Sequence, residues 1–576
     1  MADLTDSPAG TEARGDAREL TPRALATGLV LGALLAPCNV YSGLKIGWSF
    51  NMSITALLLA FAFWTPLARL FGLAPWGMLE SNINQTTASA AAAITSSGLV
   101  APIPALALMT GGNLPWQTLT AWVFAVSFLG VWVGWYLRPR LIVQSNLVFP
   151  AGMATAETMR DMFSHGREAM RRVGVLMSSL TGAVLFNIVD DFLWQVPRFA
   201  PSLTAKKLTL AFDPSLLLLG FGSIIGLRAG LGLLFGALLA WGVIAPELIA
   251  RGLVEVSQAD ENWFQSLVGW LLWPGVTMMV TASLTSFGAA LFASVRHGRD
   301  ADREAIPKEQ GGLVRVGGFL LAAAITVVLQ ITLFGIHWTM ALVAIPLAFV
   351  LATVAARVVG ETSVAPIGAI GKVSQLSFGA MAPGQPITNL MTANVAGGAA
   401  GQSADLLNDF RAGHEVGASP ARQVVAQCAG VVVGSLVSSL VYLMLISDPA
   451  TQLLTPEWPA PAVATWKAVA ETLSVGLSGI PQSALIAMAV AGVLGIVLAL
   501  AERRLTGRHL LLVPSGATVG LAFVIPAGTS ITLFLGAGLA SLLHWLAPHW
   551  AARFLLSAAA GLVAGESLFG VVSVWF

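Results

Sequence analysis

The chain has 576 residues, of which 56% are hydrophobic and only 10% charged, with a formal net charge of +1. Soluble domains carry roughly 25% charged residues, so this composition excludes a water-soluble fold and favours a membrane-embedded one. The neutral balance offers no footprint for nucleic acid, and the two cysteines, Cys38 and Cys428, rule out a disulfide framework and read as buried free thiols.

Residues 1–22 are polar and lack the apolar core of a cleavable signal, so a disordered cytoplasmic tail is expected. A membrane-crossing helix needs about 20 mostly apolar residues. Such stretches lie near 24–46, 51–71, 117–137, 172–194, 213–227, 229–249 and 266–294. They recur near 313–334, 337–357, 421–446, 483–500, 530–547 and 552–573. Three more stretches, 80–111, 361–410 and 509–528, are apolar but interrupted by Gly, Pro or polar residues. The expected fold is all-α: a polytopic membrane protein of about 14–16 transmembrane helices with internally duplicated halves and broken or re-entrant helices. Its parts would be an N-terminal transmembrane half at 23–294, a cytoplasmic linker at 295–312 and a C-terminal transmembrane half at 313–576.

Positive charge is uneven. Arg138, Arg140, Arg160, Arg167, Arg171 and Arg172 share one loop, and Arg503, Arg504 and Arg508 share another. Placing these loops inside puts the N-terminus in the cytoplasm of a cell (inner) membrane and the loop "DPATQLLTPEWPAPAVATW" (448–466) outside. A faint echo between "NLVFPAGMATAE" (146–157) and "LLLVPSGATVG" (510–520) is the sequence support for duplication, the usual build of a secondary transporter.

The unusual polar residues gather in the interrupted segments. Irregular backbone at membrane depth is tolerated only where protein buries it or water reaches it. Gly98, Pro102 and Pro104 should stop a helix inside 80–111. Pro366, Pro383, Gly384, Pro386, Gly397, Gly398 and Gly401 should do so repeatedly inside 361–410. Half-helix ends leave free backbone groups that hold carboxylates, amines or amides. Candidate substrate-binding residues are therefore Asn39, Tyr41, Lys45, Asn82, Asn84, Gln85, Lys372, Gln375, Asn394 and Gln402. Ionisable groups inside a membrane are costly and mark function by default. Glu80, Glu157, Glu361, Asp405 and Asp409 are the candidates for proton coupling. Asp405 and Asp409 share one helical face, where a close carboxylate pair suits a proton or a cationic group. A packed helix whose amides bind its neighbours is the bland alternative for 79–106.

Enzyme signatures are missing. The chain has no GxxxxGK[ST] phosphate loop and no HExxH, and its seven histidines do not cluster, so no ATP site, metal site or cofactor is expected. What remains is a transporter driven by an ion gradient, most simply protons.

Four strings in order, "NVYSGLKIGW" (39–48), "LESNINQTTASAAAA" (79–93), "LRPRLIVQSNLVFPAGMATAE" (137–157) and "DLLNDFRAGHEVGASPARQVVAQCAG" (405–430), resemble the oligopeptide transporter superfamily, which also holds the yellow-stripe-like metal-chelate transporters. The resemblance runs from about residue 22 to the C-terminus. It implies cation-coupled, usually proton-coupled, import of small peptides, thiols or metal chelates. Matched positions include Asn39, Tyr41, Lys45, Glu80, Asn84, Gln85, Asp405, Asp409 and Gln427. The chain lacks the NPG and KIPPR-type motifs of the eukaryotic peptide-carrying branch, and its compact form resembles bacterial members. The leading expectation is a proton-coupled symporter importing small oligopeptides by alternating access. The alternative is an importer of siderophore- or nicotianamine-like metal chelates, and a passive channel is more distant. The expected partners are a small-molecule substrate, protons and the lipid bilayer, with a homodimer left open.

Overall fold

The computed structural model describes residues 18–49, 51–145, 147–164, 166–301, 312–362, 366–476, 480–505 and 513–575. Most of the expected N-terminal tail, most of the expected 295–312 linker and part of "LLLVPSGATVG" lie outside the described residues.

Helix α1 (Pro22–Ile46) starts where Thr21 caps it, its hydroxyl accepting from the Ala24 amide at 3.2 Å, with proline in the first turn where no N–H is needed. Helices α2 (Ser53–Phe71) and α3 (Met78–Ala92) follow. The chain then tightens into a 3-10 turn at Ala93–Ser97 and reverses at Gly98, whose φ of +119° suits glycine, before α4 (Pro102–Thr110). Next come α5 (Trp116–Arg138), α6 (Pro150–Ser164), α7 (Gly166–Ile188), α8 (Leu203–Lys207), α9 (Leu216–Ile225), α10 (Leu227–Ala237), α11 (Ala245–Ala250) and α12 (Phe264–Ala301). After the undescribed stretch come α13 (Gly312–Phe334), α14 (Trp338–Thr362), α15 (Ile367–Met381), α16 (Pro386–Val416), α17 (Pro420–Leu445) and α18 (Pro449–Gln452). The chain closes with α19 (Pro461–Val475), α20 (Gln482–Arg504), α21 (Gly516–Ala522), α22 (Ala527–Leu546) and α23 (Pro548–Val572).

The protein is an all-α polytopic membrane protein. Among the described residues, 13 helices are long and apolar enough to cross a membrane, against the 14–16 expected. One reason is α16. Its 31 residues reach ~46 Å at 1.5 Å per residue, but its polar composition keeps it out of any hydropathy count.

One outcome differs from expectation inside 361–410. The helix does break between Met381 and Pro386, but it runs unbroken through Gly397, Gly398 and Gly401. Two of those glycines serve packing: a Cβ at Gly398 would meet Val126, and one at Gly401 would meet Ser96.

The helices sort into two bundles, and each draws on both ends of the chain. The first joins α1–α6 to α13–α19, through contacts such as α3 with α17 and α5 with α16. The second joins α7–α12 to α20–α23, through α12 with α20 and α7 with α23. They meet along α1 with α23, α2 with α7 and α12 with α19.

At the heart of the first bundle sit two polar helices. Every residue of α3 from Glu80 to Ala92 is buried, as is every residue of α16 from Thr388 to Ala404. Glycine pairs spaced by four make this close approach possible. Gly28 and Gly32 of α1 lie against Thr87 and Ala91 of α3, and Gly430 and Gly434 of α17 press on the same two residues from another side. Gly130 and Gly134 of α5 do the same for α16 at Gln402 and Ser403. The polar stripes are thus wrapped by protein and kept from lipid.

Candidate functional site

A cavity of about 1290 Å³ opens between the bundles. Its walls carry both signs of charge: Lys45, Arg198 and Lys206 against Asp190, Asp191, Asp213, Glu457 and Glu566. Lys45, near the end of α1, lies over two aromatic faces, with its ammonium 5.5 Å from the Tyr41 ring centre and 5.4 Å from that of Trp458. The two rings meet edge-on at 5.3 Å. Trp458 comes from the loop 448–466, expected outside. That loop packs on α1, where the Ala460 amide donates to the Leu44 carbonyl at 2.9 Å. Across the cavity Glu566 of α23 accepts from the Ser215 hydroxyl at 2.6 Å and from the Leu217 amide at 2.8 Å. It therefore caps the N-terminus of α9, where a carboxylate is favoured.

A second polar cluster lies inside the first bundle. Asp405 of α16 accepts from the Ser89 hydroxyl at 2.9 and 3.1 Å, from the Asn51 amide at 3.4 Å and from Gln427 at 3.5 Å. One turn on, Asp409 accepts from the Ser53 hydroxyl at 3.4 Å, and the Gln85 amide lies against it. Gln423 donates to the Asp409 backbone carbonyl at 2.8 Å. Gln85 also donates to Asn82 at 3.3 Å and to Thr86 at 3.1 Å. Among the described residues no cationic side chain pairs with either aspartate, and one carboxylate oxygen of Asp409 has no partner. The side-chain oxygens of Gln85 and Gln427 are likewise buried without partners. Helix α2 begins at Ser53, so its positive end faces this cluster.

The remaining candidates fall in four places. Asn39 donates to the Ala92 carbonyl at 3.0 Å, and Asn394 donates to the Ser97 carbonyl at 3.1 Å while accepting from the Trp122 indole at 2.7 Å. Both amides pin the break after α3. Asn84 donates to the Ala56 carbonyl at 3.2 Å. Gln402 is fully buried beside α5, and among the described residues neither atom of its amide has a partner. On α15, Lys372 and Gln375 are buried beside Trp466.

Three expected proton carriers sit elsewhere. Glu80 was expected to face the cavity, but it is held by Arg23 at 2.5 and 2.7 Å, by Thr21 at 2.6 Å and by the Gly77 amide at 3.2 Å. It closes the start of α3 onto the start of α1, because an arginine one residue into α1 meets an acid in the first turn of α3. Glu157 and Glu361 are exposed on helix surfaces. Sequence reasoning missed Ser89, Asn51, Ser53 and Trp458. Serines, asparagines and a tryptophan in apolar surroundings carry no pattern that singles out their partners.

The OPT oligopeptide transporter protein family matches residues 19–576 of the chain. The chain belongs to this family. Within the family it is 26% identical to the "Putative oligopeptide transporter YGL114W" of Saccharomyces cerevisiae, over 97% of this chain and 96% of that one. It is 25% identical to the "Metal-nicotianamine transporter YSL1" of Arabidopsis thaliana, over 96% of this chain and 90% of that one. It is 26% identical to the "Metal-nicotianamine transporter YSL2" of the same plant, over 81% of this chain and 80% of that one. As an oligopeptide transporter family member the chain is a multi-pass membrane transporter of small molecules.

Proposed function

We propose that this transporter is a proton-coupled symporter that imports small oligopeptides by alternating access, with its N-terminus in the cytoplasm of the cell (inner) membrane. The observation that carries this reading is the charged cavity between two bundles, whose lining includes both Lys45 and Glu566. The surrounding acids suit a solute's amine, and the Tyr41 and Trp458 rings beneath Lys45 suit its apolar parts. Rocking one bundle against the other would close this side and open the opposite one. The orientation is supported by Arg23, Arg160, Arg411 and Arg422, which form ion pairs with Glu80, Glu415 and Glu19 at the ends of α1, α3, α6, α16 and α17.

Coupling is assigned to Asp405 and Asp409. Two carboxylates away from any counter-charge are tolerated in a membrane when they hold a proton or another cation. Asn51 and Ser53, which contact them, follow directly on the end of α1 that carries Lys45. Solute and proton would thus act on one continuous stretch of backbone.

A second reading, import of a metal chelate, is favoured by the names of the plant relatives. A chelate brings its own metal ligands, so it needs charged walls more than a metal cage. The deciding experiment is uptake into proteoliposomes under an imposed pH gradient, with a mixed panel of di- to pentapeptides and iron or nickel chelates read by mass. Gradient-driven accumulation of peptides supports the first reading. Accumulation of chelates without competition from peptides supports the second. Uptake that only equilibrates rejects both in favour of a channel.

A further inference from the structure

We propose that Lys372 marks a carboxylate-binding site inside the first bundle, so that the transporter selects solutes carrying a free carboxylate. The inference rests on the transport reading and adds a requirement to it. Lys372 is only 3% exposed, yet among the described residues no acid and no hydrogen-bond acceptor reaches its ammonium. Its contact is the face of Trp466, 4.5 Å from the ring centre. A ring face offsets part of the lost hydration of a cation, but not as a counter-ion would. Other buried or half-buried charges of the bundle are met: Glu80 by Arg23, Glu19 by Arg422, and Asp405 by a hydroxyl and amides.

The surroundings specify what would meet it. Gln375, nearly one turn along α15, spends its amide hydrogens on Asn389 at 3.2 Å and on the Trp466 carbonyl at 3.1 Å. Its oxygen is left buried without a partner. An ammonium and a bare amide oxygen on neighbouring turns complement a carboxylate with an N–H beside it. A peptide's C-terminal residue has that arrangement, and so does an amino-carboxylate chelator. The indole supplies a flat apolar floor. Gly371 holds it there, since any Cβ at that position would overlap the six-membered ring of Trp466.

The test uses the full-length transporter in proteoliposomes and two matched pairs of probes. One pair is trialanine and trialanine amide. The other is an iron aminopolycarboxylate complex and an iron hydroxamate complex that has no carboxylate. The wild type is expected to favour the carboxylate member of the transported pair by about tenfold or more, the scale of one charge-assisted hydrogen bond. Lys372→Gln should bring that ratio near one, and Lys372→Arg should restore it. Ligand-induced shifts in thermal unfolding of the detergent-purified protein give the same comparison where a variant does not transport. Equal handling of both members by the wild type, or a preference that survives Lys372→Gln, overturns the proposal. If peptides are ignored while the iron pair is discriminated, the carboxylate site stands and the peptide reading falls. If peptides are carried with no regard to their C-terminus, the reverse holds.

Discussion

Ser89 and Asp405 join the two polar helices of the first bundle: the hydroxyl on α3 bridges both carboxylate oxygens on α16, at 2.9 and 3.1 Å. A hydroxyl donates one proton, so it cannot neutralise the charge it binds. Replacing Asp405 with Asn should therefore uncouple the transporter without unfolding it. Gradient-driven accumulation is expected to fall by about tenfold or more, the scale of a coupling free energy of ~1–3 kcal/mol. Counterflow exchange, which needs no net proton movement, should stay near the wild-type rate. Asp409→Asn should act in the same direction. Accumulation unaltered in both variants would remove the pair from coupling.

Glu80 should matter to folding more than to energy coupling. Its carboxylate is buried and committed to Arg23, whose side chain is 18% exposed. Glu80→Ala strands that arginine and removes the cap on α3, at a cost of about 2–3 kcal/mol once the partial exposure is allowed for. Glu80→Gln keeps an acceptor and should cost about 1–2 kcal/mol. Thermal unfolding in detergent measures both. Uptake per folded molecule should keep its dependence on the pH gradient.

The reversal after α3 depends on a glycine fitted against an asparagine. Gly98 has a φ of +119°, and a Cβ there would lie 2.7 Å from the Asn394 amide. Gly98→Ala should cost at least about 1–3 kcal/mol from backbone strain alone, before Asn394 is displaced. Asn394→Leu should cost a similar ~1–3 kcal/mol for each of its two orphaned partners, the Trp122 indole N–H and the Ser97 carbonyl. Purified yield and melting temperature would reveal either loss.

Trp458 is expected to act on affinity. It forms one wall of the aromatic pair over which Lys45 is held. Trp458→Ala removes a cation–ring contact worth about 0.5–2 kcal/mol, so KM for the transported solute should rise by roughly 2- to 30-fold with little change in maximal rate. Trp458→Phe should recover most of the loss. A fall in maximal rate at constant KM would instead place Trp458 in the conformational step.

The architecture was legible wherever a helix had to face lipid, because lipid demands apolar residues on that face. Legibility ended where helices face one another. Gly397, Gly398 and Gly401 look like breaks, but α16 passes through all three, and neighbours press on the bare backbone at Gly398 and Gly401. Of the site, Tyr41 and Lys45 in the cavity and the Asp405–Asp409 face were readable from residue type and spacing. Glu80 was misplaced because its partner, Arg23, is 57 residues away, and nothing in the sequence links the two. Ser89 was invisible for the same reason, being 316 residues from the aspartate it binds.

The interleaving of the bundles also sets the order of assembly. Helix α3 emerges early from the ribosome, while α17, which covers it, begins at Pro420. At a synthesis rate of ~5–20 residues per second, the intervening stretch takes roughly a quarter of a minute to a minute. Throughout that interval Thr86 and Ser89 sit in the bilayer without Gln423 of α17 and Asp405 of α16, their later partners. A membrane insertase or chaperone able to shelter one amide-rich helix during that delay would determine how much of this transporter escapes degradation.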